Sequence, residues 1–364
     1  MAAPPGRLAR FSPRRIWRLL ESIQPLRQQV AEERKASART LRSIEQSLAR
    51  IEQKLAVQQK ALDRLPEMQI HLDRCETAYS KDAKQAARLA TFQASVDPAL
   101  VHAHAHAAAL NASLHTDPCP YVVIDRVLPD DVYDVVVEAL PSPVFFKKAA
   151  ERSEMTVPFP FAPAYSRAVW NLFYEVVERS VLPALVERFR PALDEFVRTS
   201  WPALGSWEQS DIDLEVAQSR LLLRRPGYRI EPHRDPRWAF LTAIFYLSTR
   251  NGAPAHGTQL YRLRVEREGT HSSPFWADPD ECELVRDVPG TGNTALVFLN
   301  STGAHGASIP QDAPQNLKRY VYQVQFSPDA VMKERLITLL AADVRERWVV
   351  ARDKGYDQGD EVGS

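Results

Sequence analysis

After residue 212 the chain offers one short apolar run after another with nothing helical between them. That succession limits the fold more than any other feature. The runs are SRLLLR, WAFLTAIFYLST, TQLYRLRV, CELVRDV, NTALVFLN and RYVYQVQFS, punctuated by NGAPAHG, DPDE, PGTGN and IPQDAP. Short β-rich runs bounded by Gly, Pro, Asn and Asp read as strands. Strands that follow one another without crossover helices predict an antiparallel barrel or sandwich. Helices flank this region. Trp170, Leu172, Phe173, Val176, Val177, Leu182, Leu185 and Val186 recur at helical spacing within residues 165–200. Upstream, PCPYVVIDRVLPDDVYDVVVEALPSP pairs a strand-like run with a helix opened by Pro129, Asp130 and Asp131. Residues 329–352 return to helix. The predicted class is α+β.

The N-terminal third has a different texture. Residues 26–110 contain no glycine and read as helix. Within them Leu41, Leu48, Leu55 and Leu62 at a alternate with Ile44, Ile51, Gln58 and Leu65 at d, until Pro66 ends the pattern. This heptad seam over 41–65 predicts self-association into a homo-oligomer; one long helix packed on its own domain is the plainer alternative. Residues 1–25 form a basic tail, with Arg7, Arg10, Arg14, Arg15 and Arg18 all preceding the first acid, Glu21. It lacks the apolar core of a secretory signal. An amphipathic helix of this kind can make weak contact with an anionic membrane surface, and a frayed tail is the simpler reading. The chain therefore divides into a tail (1–25), a helical region with a coiled coil at 41–65 (26–115), a β-rich domain (117–328) and a C-terminal helix and tail (329–364).

Basic and acidic residues balance at 46 each, so no bulk charge points to nucleic acid as a partner. The cysteines, Cys75, Cys119 and Cys282, are few and widely spaced, which favours a reducing, cytoplasmic setting over a disulfide framework. No apolar run approaches a membrane span.

The chemistry concentrates at EPHRDP, residues 231–236. Pro232 and Pro236 bias the flanking backbone toward extended or turn conformations. In extended backbone His233 and Asp235 face one way, about 7 Å apart along the strand. His305 lies in NSTGAHGASIP, directly after the run NTALVFLN, and Arg319 opens the last strand. Two histidines and a carboxylate with open positions form the facial triad of non-haem Fe(II) oxygenases. The arginine suits a separate task, because a dicarboxylate such as 2-oxoglutarate can chelate iron at one end while a guanidinium fork receives its far carboxylate. Strand parity puts Tyr320, Tyr322, Val324 and Phe326 on an apolar face and Arg319, Val321, Gln323 and Gln325 on the other, which favours Arg319 over Lys318. Other candidates read as structural. His102, His104 and His106 in VHAHAHAAAL have no acid or cysteine nearby. Trp238, Thr242 and Tyr246 share one strand face and read as core packing. His256 and His271 read as exposed loop residues, and Asn300 and Ser301 as a turn.

H-x-D at 233–235, the histidine of G-A-H-G at 303–306 and the arginine opening the final strand together resemble the Fe(II)/2-oxoglutarate-dependent dioxygenase superfamily. The stretch PGYRIEPHRD is similar to its prolyl 4-hydroxylase-like branch. The resemblance covers roughly 117–328. It implies a double-stranded β-helix, or jelly roll, with His233, Asp235 and His305 as iron ligands and Arg319 as the 2-oxoglutarate anchor. It also implies hydroxylation of a C–H bond with release of succinate and CO2. Halogenase relatives replace the triad carboxylate, and Asp235 is present here. Arg224 stands about where a prolyl hydroxylase often has a co-substrate tyrosine, so Tyr228 and Gln323 are both open as the second carboxylate contact. The substrate, whether peptide, saccharide, lipid or small metabolite, is not legible. The rival reading is a coiled-coil scaffold or binding protein carrying a catalytically idle jelly roll.

Overall fold

The computed structural model describes residues 83–342 apart from 150, 160, 237, 249–254 and 266–273, together with 345 and scattered positions between 25 and 72. The chain divides into two compact units, residues 1–72 and 73–364. The described residues of the first unit are helical. Leu41, Ile44, Leu48, Ile51 and Leu55 on the heptad seam are all 49–60 % exposed. Leu62, Leu65 and the basic tail before residue 25 lie outside the described residues.

The second unit begins with two helices, α1 (Ala83–Ser95) and α2 (Pro98–Asn111). The glycine-free stretch is thus not one continuous helix. Asp97 accepts a hydrogen bond from the backbone N–H of Ala99, and Pro98 takes the first helical position, where its missing N–H costs nothing. The pair breaks one helix and starts the next. The histidines of α2 are structural: His102 Nδ1 lies 2.7 Å from Ser180 Oγ, and His106 Nδ1 3.2 Å from the Ser180 carbonyl. His104 Nε2 meets the carbonyl of Arg126 at 2.8 Å.

Next come β1 (Leu114–His115), β2 (Tyr121–Asp125) and α3 (Asp130–Glu138), whose first turn carries Asp130 and Asp131. After β3 (Lys147–Ala149) and β4 (Arg152–Thr156), α4 (Ala164–Val176) runs through a wide π turn, Val177–Val181, into α5 (Leu182–Ser200). Pro183 follows the π turn and has no N–H with which to continue the α ladder. The remaining strands are β5 (Glu215–Arg224), β6 (Arg229–Arg234), β7 (Leu241–Tyr246), β8 (Ala255–Leu263), β9 (Phe275–Trp276), β10 (Cys282–Gly290), β11 (Thr294–Leu299), β12 (Ala304–Ser308) and β13 (Arg319–Ser327). The C-terminal helix, expected over 329–352, is α6 (Ala330–Thr338).

The strands form two sheets in the orders β1-β2-β11-β7-β13-β5-β4-β3 and β10-β8-β12-β6-β9, and every pairing is antiparallel. Successive strands from β5 to β8, and again from β10 to β13, alternate between the sheets. Their inner faces meet in one apolar cluster: Leu222, Ile244, Leu296, Phe298 and Val321 from the large sheet, Leu260 and Val288 from the small. The other face of the large sheet packs on α4 and α5 through Tyr322, Val324, Phe326, Phe245, Trp170 and Phe173. Central strands β7 and β11 are therefore buried on both faces and read as continuous apolar runs. The parity assigned to β13 holds, with Tyr322, Val324 and Phe326 toward the helices and Val321 toward the opposite sheet.

Trp170 is fully buried, edge-on to Tyr322 at 5.5 Å between ring centroids and 5.7 Å from Phe173. Trp170→Ala is expected to destabilise the domain by about 3–5 kcal/mol, the usual range for an emptied aromatic site. Its effect on the inner face of the sheet should be small. Chemical denaturation measures the first, and retention of metal binding in the folded protein checks the second.

Candidate metal centre

His233 lies on β6 and His305 on β12, and antiparallel register sets the two directly opposite each other on neighbouring strands of the small sheet. Paired residues point to the same side. The expectation that His305 follows a strand is refined: it sits within a short strand of its own. Asp235 comes one residue past the end of β6, and its side chain turns back toward both imidazoles. His233 Nε2 is 3.7 Å from Asp235 Oδ1, and His305 Nε2 is 4.0 Å from Asp235 Oδ2. One ligand atom from each residue lies within 4.8 Å of the others, and all three residues are buried. Among the described residues no other group of three His, Cys, Asp or Glu side chains meets this spacing.

The protonation pattern suits metal binding. His233 Nδ1 is 2.9 Å from the carbonyl of Glu231. A carbonyl only accepts, so Nδ1 carries the proton and Nε2 keeps its lone pair toward the centre. Burial, reinforced by His233 and opposed by Asp235, pushes the His305 imidazole down to about 3 and keeps it neutral. Burial alone would raise the Asp235 carboxyl, but His305, His233, Thr242 and Gln325 outweigh it and hold it below the usual carboxylate value. Two imidazoles and one carboxylate are the donor set of an open Fe(II) site, so the residues present fit such an ion.

Two readings need correction here. Thr242 is not plain core packing, since its hydroxyl donates to Asp235 Oδ2 at 2.7 Å. Asn300 does more than serve a turn: its Nδ2 donates to the Thr242 hydroxyl at 3.0 Å and to the Ala239 carbonyl at 2.6 Å.

Arg319 faces the same interior. One cavity is lined by His233, His305, Arg319, Arg224, Thr258 and Gln323, among others. The Arg319 guanidinium donates to the backbone carbonyls of His256 and Gly257, the latter at 2.9 Å. The His256 side chain is exposed, as expected; His271 lies outside the described residues. Gly257 sits hard against β10, where an added Cβ would come within 1.6 Å of the Val288 carbonyl oxygen. Arg224 is the register partner of Arg319 across β5 and β13. Its Nη1 donates to the Ser153 carbonyl, and its guanidinium lies 4.9 Å from the Tyr228 ring centroid. Both arginines are buried, and neither has a carboxylate partner among the described residues. Burial lowers the Arg319 pKa; Tyr246 and Tyr228 oppose that shift, and Arg224 adds to it. The buried hydroxyls of Tyr246 and Thr258 lie beside each other, and Arg224 Nε is buried without a hydrogen-bond partner among the described residues. A buried cation without a counter-charge is costly. Tyr228 and Gln323 both line the cavity, and Gln323 Oε1 already accepts from Arg220.

No pattern in the sequence points to Trp276. It pairs with His233 in β9–β6 register and stacks on the His233 ring at 4.9 Å, yet remains 56 % exposed. The Ala277 N–H donates to the Pro232 carbonyl and ties β9 to the ligand-bearing strand.

No family model matches the sequence, and no curated protein matches it. Solved structures similar to the chain include the non-haem α-ketoglutarate-dependent epimerase SnoN from nogalamycin biosynthesis, at 14 % identity over 64 % of this chain and 84 % of that one, TM-score 0.36. A Pseudomonas putida prolyl-4-hydroxylase is 14 % identical over 62 % of this chain and 100 % of its own, TM-score 0.33. HygX from Streptomyces hygroscopicus, solved with nickel, 2-oxoglutarate and hygromycin B, is 13 % identical over 58 % and 83 %, TM-score 0.35.

An indole stacked on a metal-binding imidazole is a built-in reporter. Co(II) is expected to quench the tryptophan fluorescence of the wild type, and Trp276→Phe to lose most of that quenching while binding the ion as tightly by calorimetry. Equal quenching in both proteins would place the ion elsewhere.

Proposed function

We propose that this chain is an Fe(II)- and 2-oxoglutarate-dependent oxygenase, and that its two facing sheets are a double-stranded β-helix. The observation that carries the reading is a buried His-Asp-His donor set whose two imidazoles line one cavity with Arg319, a buried arginine that has no carboxylate partner among the described residues. His233, Asp235 and His305 would hold the iron. Arg319 would receive the far carboxylate of 2-oxoglutarate, with the buried hydroxyls of Tyr246 and Thr258 and the cation of Arg224 beside it. Iron with 2-oxoglutarate supplies oxidation by O2, with succinate and CO2 released, and hydroxylation of a C–H bond is the reaction we assign.

The chain's own contribution is placement and exclusion of water. Leu222, Ile244 and Val321 give the cavity apolar walls, which strengthen charge pairing inside it. The His256 and Gly257 carbonyls fix the Arg319 fork, so little freedom is lost when a carboxylate docks. The half-exposed face of Trp276 beside His233 borders the region where a substrate approaches. No helix among the described residues is long and apolar enough to cross a membrane.

The test is formation of succinate from 2-oxoglutarate with Fe(II), and 2-oxoglutarate binding to the Mn(II) form. Arg319→Gln removes one partner of a desolvated charge pair, a loss of about 2–5 kcal/mol. That corresponds to roughly 30- to 4000-fold weaker 2-oxoglutarate binding. Arg319→Lys keeps the charge but loses the fork and should fall between. Metal affinity should stay put in both. A wild type that binds metal but no 2-oxoglutarate would end this reading.

The exposed seam of the first unit adds a second copy of the chain as partner. Five large aliphatic side chains in a–d spacing, each about half exposed on a helix, match the pattern that two or more identical helices bury together. Asp at both Ile44 and Ile51 is expected to reduce the mass measured by sedimentation to that of a single chain; an unchanged mass would show that these residues do not join copies.

A further inference from the structure

Asp235 has two oxygens, and the fold treats them differently. Oδ2 accepts from the Thr242 hydroxyl at 2.7 Å and from Gln325 Nε2 at 3.1 Å. Oδ1 faces His233 Nε2 at 3.7 Å and has no such donors among the described residues; Oδ2 is also the oxygen nearer His305 Nε2, at 4.0 Å, but its two donors already engage it. The direction of each bond is fixed by chemistry. An ionised carboxylate only accepts, so the Thr242 hydrogen is committed to it. The Thr242 oxygen is then free to accept, and Asn300 Nδ2 supplies that donor at 3.0 Å. Asn300 Nδ2 gives its other hydrogen to the Ala239 carbonyl at 2.6 Å. The chain of donors is therefore directional, running from Asn300 through Thr242 to Asp235.

Strand register builds this arrangement. Thr242 and Gln325 are direct partners across β7 and β13, so both side chains rise from the same spot on the inner face of the large sheet. Phe298, on the other side of Thr242 in β11, is its partner there, and Asn300 follows immediately after that strand. Thr242, Asn300 and Gln325 are 0–3 % exposed. Buried polar side chains are costly unless they serve one another or a charge; Thr242 and Gln325 donate to a single oxygen, and Asn300 donates to Thr242.

We infer that Thr242, Gln325 and Asn300 reserve Oδ2 of Asp235 for the protein and offer Oδ1 alone to the metal. They are positioning residues that set metal affinity and keep the carboxylate from closing on the ion with both oxygens. The inference rests on the metal-binding reading above and deepens it. One carboxylate oxygen and two imidazole nitrogens would then hold the ion, and other ligands could still reach it.

The test is metal affinity, measured by calorimetry with Mn(II) and Co(II) on the full chain, alongside the visible spectrum of the Co(II) form. Partners that orient a metal ligand are typically worth 10- to 100-fold in affinity. Thr242→Val keeps the shape and removes the donor; it is expected to weaken metal binding by at least tenfold and to shift the Co(II) bands. Thr242→Ser keeps the hydroxyl and should restore both. Gln325→Met removes the second donor independently and should weaken binding in its own right. Ser219→Ala deletes a buried hydroxyl that pairs with Tyr322 instead, and should leave metal affinity and spectrum unchanged. If Thr242→Val and Gln325→Met bind metal within twofold of wild type with unshifted bands, the positioning role is wrong while the metal centre stands. If the wild type binds neither ion, the metal-centre reading itself falls, and this inference with it.

Discussion

Asp235 hangs from the end of β6 in the small sheet, but Thr242 and Gln325, which hold its outer oxygen, belong to the large one. This tie crosses the interior between the sheets, and much of the site follows from it. It holds the carboxylate beside two imidazoles that register has already set side by side. It places charge in an apolar interior only where that charge is answered from both sides. Through Asn300 it also engages the carbonyl of Ala239, in the turn that leads into β7.

The metal donors and the arginine pocket are products of one alternation. Because successive strands pass between the sheets, residues far apart in sequence face one enclosed space: His233 and His305 from the small sheet, Arg224 and Arg319 from the large. The helices finish the arrangement from outside. By burying the outer face of the large sheet under Trp170 and Phe173 they free its inner face to carry polar groups without loss of the core.

How much of this was legible in the sequence depended on whether a signal was local. The H-x-D pair, the distal histidine and the parity of β13 were readable because each lies within a few residues of chain. The strands β6 and β12 were harder to see. They are short, interrupted by Pro232 and Gly306, and carry functional polar residues where a strand usually shows alternation. Thr242 looked like core because its role is created by register with Gln325, 83 positions later in the chain, and no pattern within one strand encodes that. Trp276 was invisible for a related reason, since a two-residue strand between loops has no period at all. Within the stretch read as helical, the break at Asp97-Pro98 is a stop and start signal that was present and local.

Gly257 touches no donor atom of the centre, yet it governs the arginine. Its carbonyl and that of His256 grip the Arg319 fork, and its bare Cα lets β8 lie against β10. Even a methyl group there would have to pry the two strands apart, because a backbone oxygen cannot swing aside as a flexible side chain can. The carbonyls would travel with β8, and the guanidinium would lose its fixed bearing. Position 257 is thus a hinge pin for the guanidinium: alanine there would spare every charged group in the cavity and still misdirect Arg319.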